Sequence, residues 1–308
     1  MIEIRDFTKR YGEVTAVDGL NLAIGEGETF GFIGPNGAGK STTIRFLATL
    51  LNPTHGDATV NGYSVRREPL AVRRSIGYMP DSFGVYDRMN VAQFLGFFAE
   101  GYGIPRSRRR QAIDGVLERL GLAGKRKAAL RSLSRGMKQR LCLAKVLLHD
   151  PPVLILDEPA NALDPRARAE LKALLFDLRR AGKTVLVSSH VLSELADCCT
   201  TVGIIEHGKL VLHGPIDEVY RRMGPKRTLE IRFCGAMDSG LEVLASEPGV
   251  AVVRVEDHAA TIQCEADDPK LAELLARLVT RGARVVSFRE KEVDLEDVFL
   301  RVTKGVVG

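Results

Sequence analysis

The stretch Gly34-Pro35-Asn36-Gly37-Ala38-Gly39-Lys40-Ser41-Thr42 constrains this chain more than any other. It follows an apolar run, Thr29–Ile33, that reads as a short buried strand. It precedes a segment, Ser41 to Leu51, that reads as a helix with Ile44, Leu47 and Leu51 on one face. Three glycines between strand and helix let the backbone turn tightly and aim several N–H groups into one concavity. The positive end of the helix faces the same point. In this pattern Lys40 reaches the β- and γ-phosphates of a nucleotide, and the Ser41 hydroxyl can ligate Mg²⁺. A plain glycine-rich turn is the bland alternative, but it does not require the full spacing followed by Lys-Ser.

A second stretch narrows the reading. Val153 to Leu156 is a continuous apolar run preceded by Pro151-Pro152 and followed by Asp157-Glu158. Such a run suits a central parallel strand covered on both faces, and ligand-facing groups in these sheets lie at the strands' carboxyl ends. Two adjacent carboxylates there are costly without a cation. A metal role for Asp157 and a water-polarising role for Glu158 use both charges.

With these motifs the chain resembles the nucleotide-binding subunit of an ATP-binding cassette (ABC) transporter over roughly residues 1–220. The resemblance rests on six elements in the family's order. The phosphate loop implies ATP contacts from Gly34, Pro35, Asn36, Gly37, Ala38, Gly39, Lys40, Ser41 and Thr42. Tyr11, in Lys9-Arg10-Tyr11-Gly12, matches the aromatic that stacks on adenine. Ser134 and Gly136, in Leu133-Ser134-Arg135-Gly136, match the signature that binds ATP held by the other subunit. Asp157 and Glu158 match the metal-binding and catalytic carboxylates. Asp164, in Asn161-Ala162-Leu163-Asp164, matches the loop at the dimer interface, and His190 matches the histidine at the γ-phosphate. Singly, these residues have ordinary readings. Tyr11 suits an amphipathic packing position, Ser134 a helix N-cap, and His190 a structural histidine at a strand end.

Two departures stand out. The glutamine usual after Gly-Tyr-x-Pro is Asp81 here, following Gly77-Tyr78-Met79-Pro80; a carboxylate still approaches Mg²⁺ but lacks an amide donor. The signature reads Leu-Ser-Arg-Gly-Met, a form resembling the drug- and lipid-exporter branch. The metal set implied is therefore Ser41, Asp157 and Asp81, and the catalytic set Glu158, His190 and Lys40.

The fold expected is α/β: a phosphate-loop ABC ATPase core over residues 1–224, with a helical insertion at about 85–148. A C-terminal α+β accessory domain over 225–308 follows in βαββαβ order, which suggests a ferredoxin-like arrangement. A last amphipathic helix is expected from Leu295 to Lys304. No apolar run approaches the ~18 residues of a membrane span, and the N-terminus lacks a signal-peptide core. Five scattered cysteines have no metal-ligand spacing and read as reduced thiols.

Charge is uneven. Residues 226–308 hold 12 Lys/Arg and 15 Asp/Glu, a net of −3, so the first part carries the remaining +8 of the chain's +5. Basic runs at Arg106–Arg110 and Lys125–Lys127 read first as a solvated face, next as contacts with anionic lipid, and last as nucleic-acid contacts.

The resemblance implies an ATPase, using ATP and Mg²⁺, that powers a separate membrane-spanning permease for export. It also implies a second copy of the chain in an ATP-bound dimer, a peripheral position at the cytoplasmic face of the cell membrane, and no specific nucleic-acid partner. The alternative is a non-transport ABC ATPase acting on a ribosomal or nucleic-acid partner. One phosphate loop and the lack of sustained heptads favour transport. The resemblance makes the aromatic-rich segment Tyr78–Tyr86 the expected permease contact, with packing between the core and the helical insertion as the alternative.

Overall fold

Apolar and polar residues alternate at the N-terminus, and there β1 (Ile2–Tyr11) turns through Gly12 into β2 (Val14–Ile24). β3 (Thr29–Ile33) is buried at every position and leads into helix α1 (Lys40–Leu47), followed by β4 (His55–Val60) and β5 (Tyr63–Ser64). Strands β2-β1-β4-β5 form an antiparallel sheet in that order. Phe7 of β1 stacks on Phe46 of α1 with ring centroids 4.1 Å apart. Both rings are fully buried, so sheet and helix share one core with Ile4, Leu20, Ile44 and Val60.

The structure, a computed structural model, describes residues 1–81, 88–161, 163–191, 195, 198–216, 218–219, 226–235 and 237–290. The chain forms two compact units, Met1–Ile216 and Asp217–Gly308. The division expected at 224/225 falls within residues 220–225, which lie outside the described set. So do the expected helix from Leu295 to Lys304 and the Ser82–Tyr86 part of the aromatic segment.

Helix α1 is shorter than the apolar spacing suggests. It stops at Leu47, not Leu51, because Thr49 adopts a left-handed φ of 62°. The Leu50 amide then donates back to the Arg45 carbonyl at 2.8 Å, a local closure that satisfies the last turn. Leu51 still packs against the core, but from the loop.

Helix α2 (Pro69–Ser75) and β6 (Ile76–Met79) lead into the insertion, comprising α3 (Val91–Gly101), α4 (Arg106–Arg119), two short 3₁₀ turns and α5 (Arg135–Leu147). Asn90 and Gln93 form a reciprocal capping box at the start of α3. After it come β7 (Val153–Leu156), α6 (Pro165–Arg180), β8 (Thr184–Ser189), β9 (Thr201–Glu206) and β10 (Lys209–Pro215). The six-stranded sheet has the order β10-β9-β3-β8-β7-β6. Every pairing is parallel except β10 with β9. The carboxyl ends of β3, β6, β7 and β8 therefore open on one edge, the usual ligand edge of such sheets.

The second unit runs β11 (Lys226–Phe233), α7 (Asp238–Ser246), β12 (Val250–Glu256), β13 (Ala259–Glu265), α8 (Asp268–Thr280) and β14 (Val285–Glu290). Its antiparallel order β12-β13-β11-β14 places its first and third strands at the centre, as in the ferredoxin-like arrangement. Leu229, Ile231 and Ile262 of the sheet pack with Leu244 of α7 and with Leu271, Leu274 and Leu278 of α8. No described helix is long and apolar enough to cross a membrane. Four of the five free cysteines are buried, and Cys234 is exposed.

Removing the ring at the junction of sheet and α1 tests this core. Phe46→Ala should destabilise the first unit by about 3–5 kcal/mol, read as a shift of its urea midpoint; a shift under about 1 kcal/mol would mean the site collapses freely around the truncation.

Candidate nucleotide site

The loop after β3 is shaped by close backbone approach. Gly39 has φ 109°, and a Cβ there would come 2.7 Å from the Ala16 carbonyl oxygen. At Gly34 a Cβ would overlap the Ile205 carbonyl. Only glycine fits either position. Helix α1 has no side-chain cap and no acid in its first turn, so its leading N–H groups stay open to an anion.

Lys40, the first residue of α1, is 6% exposed. Its ammonium donates to the Gly34 and Pro35 carbonyls at 2.5 and 3.1 Å and lies 3.6 Å from Glu158 Oε1. Burial pushes the Lys40 ammonium below its usual pKa, while Glu158, and more weakly Asp157, oppose that shift.

At the end of β7 the two carboxylates part company. Asp157, 2% exposed, accepts a hydrogen bond from Ser188 Oγ at 2.7 Å. That same Ser188 oxygen accepts the Glu158 amide N–H at 2.9 Å. Glu158 has a left-handed φ of 50°, and its side chain turns towards Lys40 and His190. His190 Nδ1 lies 2.9 Å from Glu158 Oε2. Lys40, Glu158 and His190, which follow three different strands, thus form one chain of polar contacts.

A cavity of about 320 Å³ opens beside this chain. Of the residues expected from sequence, Pro35, Asn36, Gly37, Gly39, Lys40, Ser41, Thr42, Asp81, Glu158 and His190 line it. Gly34 and Ala38 belong to the same loop without lining the cavity; Gly34 offers its carbonyl to Lys40, and Ala38 is buried. Asp157 sits behind the cavity on Ser188.

The remaining expected residues lie elsewhere. Tyr11 is 48% exposed, with the Lys9 ammonium 5.0 Å from its ring centre. Ser134 caps α5, accepting the Met137 N–H at 3.3 Å. Asp164 caps α6, accepting the Ala167 N–H at 2.9 Å. A Cβ on Gly136 would meet Leu163 at 3.7 Å, so the signature and the loop before α6 adjoin each other rather than the cavity.

Four contributors escaped the sequence reading of the site. Ala16 and Asn161 line the cavity, and the Asn161 amide donates to Asp81 Oδ1 at 3.4 Å. Ser188 was legible only as one residue of an apolar strand. Gln139, buried on α5, donates to the Pro159 carbonyl at 2.9 Å and so braces the turn that follows Glu158. A polar residue at a buried helix position was the available signal.

Residues 17–161 match the family described as ABC transporter, and residues 214–303 match the C-terminal domain of DrrA1-3-like ATP-binding proteins. The chain is 36% identical over 309 residues to the daunorubicin/doxorubicin resistance ATP-binding protein DrrA of Streptomyces peucetius, covering 98% of this chain and 92% of that one. It is 34% identical over 316 residues to the bacitracin transport ATP-binding protein BcrA of Bacillus licheniformis, covering 99% and 98%. The chain belongs to the ATP-binding subunits of ABC transporters. These are ATPases that drive a separate permease. Among solved structures, an ATP-binding subunit of an ABC transporter superposes with a TM-score of 0.67 at 28% identity, over 73% of this chain and 93% of that one. A dimeric ATP-binding cassette in a post-hydrolysis state, bound to ADP and Pi, gives 0.65 at 25% identity, over 70% and 99%. The cassette binds ATP, and the matches to DrrA and BcrA run along both units.

The Ser188 hydroxyl joins the Asp157 carboxylate to the Glu158 amide. Ser188→Ala should lower ATP turnover by about 10–100-fold, the usual cost of losing an orienting partner, while leaving the circular-dichroism spectrum unchanged. Wild-type turnover in that variant would show that the link is dispensable.

Proposed function

We propose that this subunit sits at the cytoplasmic face of the membrane and powers export through a membrane-spanning permease, working as a dimer that closes on ATP. The observation that carries the reading is the Glu158 carboxylate at the mouth of β7, held between Lys40 and His190 beside the phosphate cavity. A nucleotide sensor without turnover has no use for it. The alternative, action on a ribosome or nucleic acid, draws no support from relatives such as DrrA and BcrA, whose names are those of resistance and transport proteins.

In this reading the triphosphate takes the place of carbonyl and carboxylate partners around Lys40. Glu158, freed from the ammonium, accepts the proton of the attacking water as the bond between the γ-phosphorus and the ADP oxygen breaks. His190 holds the other carboxylate oxygen and faces the γ-phosphate. Tyr11 stacks on adenine. Ser134, Gly136 and Asp164 serve the nucleotide of the second copy.

The donor set fits Mg²⁺. No cluster of three or more His, Cys, Asp or Glu among the described residues could hold a metal unaided. Ser41 and Asp81 line the cavity and offer hard oxygens to an ion that keeps waters and takes phosphate ligands, while Asp157, held on Ser188 outside the lining, adds negative charge. When bound, Mg²⁺ supplies charge neutralisation at the β- and γ-phosphates.

Glu158→Gln should retain ATP affinity, lose about 10²–10⁴-fold in turnover, and accumulate an ATP-bound dimer on size-exclusion chromatography; near-normal turnover would remove Glu158 from its role. Lys40→Ala should weaken nucleotide binding by about 10–100-fold, as expected for charged hydrogen bonds of roughly 1.5–3 kcal/mol. An unchanged dissociation constant in a fluorescent-nucleotide titration would mean the loop is not the anchor.

A further inference from the structure

Between residues 91 and 147 the chain carries thirteen Lys/Arg and three Asp/Glu, a net of +10, against +5 for the whole protein. Everything outside the helical insertion therefore sums to −5. Only some of these cations are matched locally. Arg106, Arg108 and Arg110 on α4 are exposed, as are Lys125 and Lys127 in the turn that follows it. The side chains of Arg106, Arg108, Lys125 and Lys127 make no ion pair or hydrogen bond among the described residues.

Geometry gathers Arg106, Arg110 and the turn 125–127 onto one face. Asp114 receives Arg110 at 3.7 Å and Arg126 at 2.9 Å, which pins the basic turn 125–127 against α4. Arg106 stands one helical turn before Arg110 on the same stripe. Of the arginine run, only Arg109 folds back, donating to the Ile104 carbonyl at 2.9 Å and pairing with Glu100 at 3.4 Å. The start of α4 is also the wrong end for cations. It has Pro105 as N-cap, no side-chain cap and no acid in its first turn, so the arginines face the positive pole of the helix as well as each other. Asp114 and Glu100 offset part of this repulsion, and Arg106, Arg108, Lys125 and Lys127 are left without a carboxylate partner among the described residues.

We infer that this face of the helical insertion docks on the anionic headgroups of the lipid bilayer that holds the permease. The inference rests on the membrane-peripheral reading above. Long, unpaired cations spread over a helix and a turn match a fluid surface of mobile negative charges, where each basic residue adds independently. They match a nucleic-acid strand poorly, because residues 106–127 contain no aromatic side chain on which a base could stack.

The test uses the purified full-length chain without permease, sedimented with vesicles of phosphatidylcholine alone or mixed with phosphatidylglycerol. Binding should require phosphatidylglycerol and fall as salt rises. Replacing Arg106, Arg110, Lys125 and Lys127 together by Gln should weaken partitioning by about fivefold per residue removed, with fluorescent-nucleotide affinity unchanged as the check on folding. A control that replaces Arg66, Arg67, Arg179 and Arg180 by Gln removes the same charge elsewhere and should keep vesicle binding. Three outcomes would overturn the proposal: equal binding to both vesicle types, equal loss in both quadruple variants, or tighter binding to duplex DNA than to anionic vesicles. A chain that binds vesicles yet captures no permease would defeat the transport reading and leave this surface standing.

Discussion

Two carboxylates on consecutive residues at the end of a buried strand repel each other, and each separately is costly to take out of water. The first unit is arranged around that constraint. Asp157 is turned back into the sheet, where the hydroxyl on the neighbouring strand meets it. Glu158 is turned forward by its left-handed backbone, where an ammonium and an imidazole meet it. The partners come from β8 and from the loop after β3. A parallel sheet with β3, β8 and β7 side by side is the minimum scaffold that delivers them to one edge.

The same logic explains what the single chain leaves apart. Ser134 and Asp164 spend their side-chain oxygens on capping helices, and neither lines the phosphate cavity. Gln139 nevertheless ties the helix that begins at Ser134 to the carbonyl one residue after Glu158. One end of α5 faces outward with the signature, and its body braces the chain's own catalytic turn.

Much of this architecture was legible because it is written in local patterns. The strand before the phosphate loop, the apolar run before Asp157 and the βαββαβ order of the second unit follow from periodicity and turn residues, which act over a few neighbours. The end of α1 was not legible. Leu51 keeps the helical spacing, yet Thr49 leaves the helical region and Leu51 reaches the core from a loop. Ser188 and Gln139 were hidden for another reason: their roles exist only across distances of 31 and 20 residues. Asp81 was visible as a departure, but its neighbour Asn161 emerged only when two loops met. The basic runs were visible as charge, whereas the pinning of the turn to α4 by Asp114 was not.

The backbone of Glu158 carries a further consequence. A side-chain-bearing residue at φ 50° sits in a region that costs of order 1–3 kcal/mol to occupy, and glycine occupies it freely. Its amide is already bonded to Ser188, so the conformation persists because its surroundings over-determine it. Optimised for folding alone, the chain would place glycine there and relieve the strain at its catalytic edge. Glutamate at 158 marks a point where thermal stability and chemical competence pull in opposite directions, so a screen for hardier variants of this cassette would drift towards inert ones at this position.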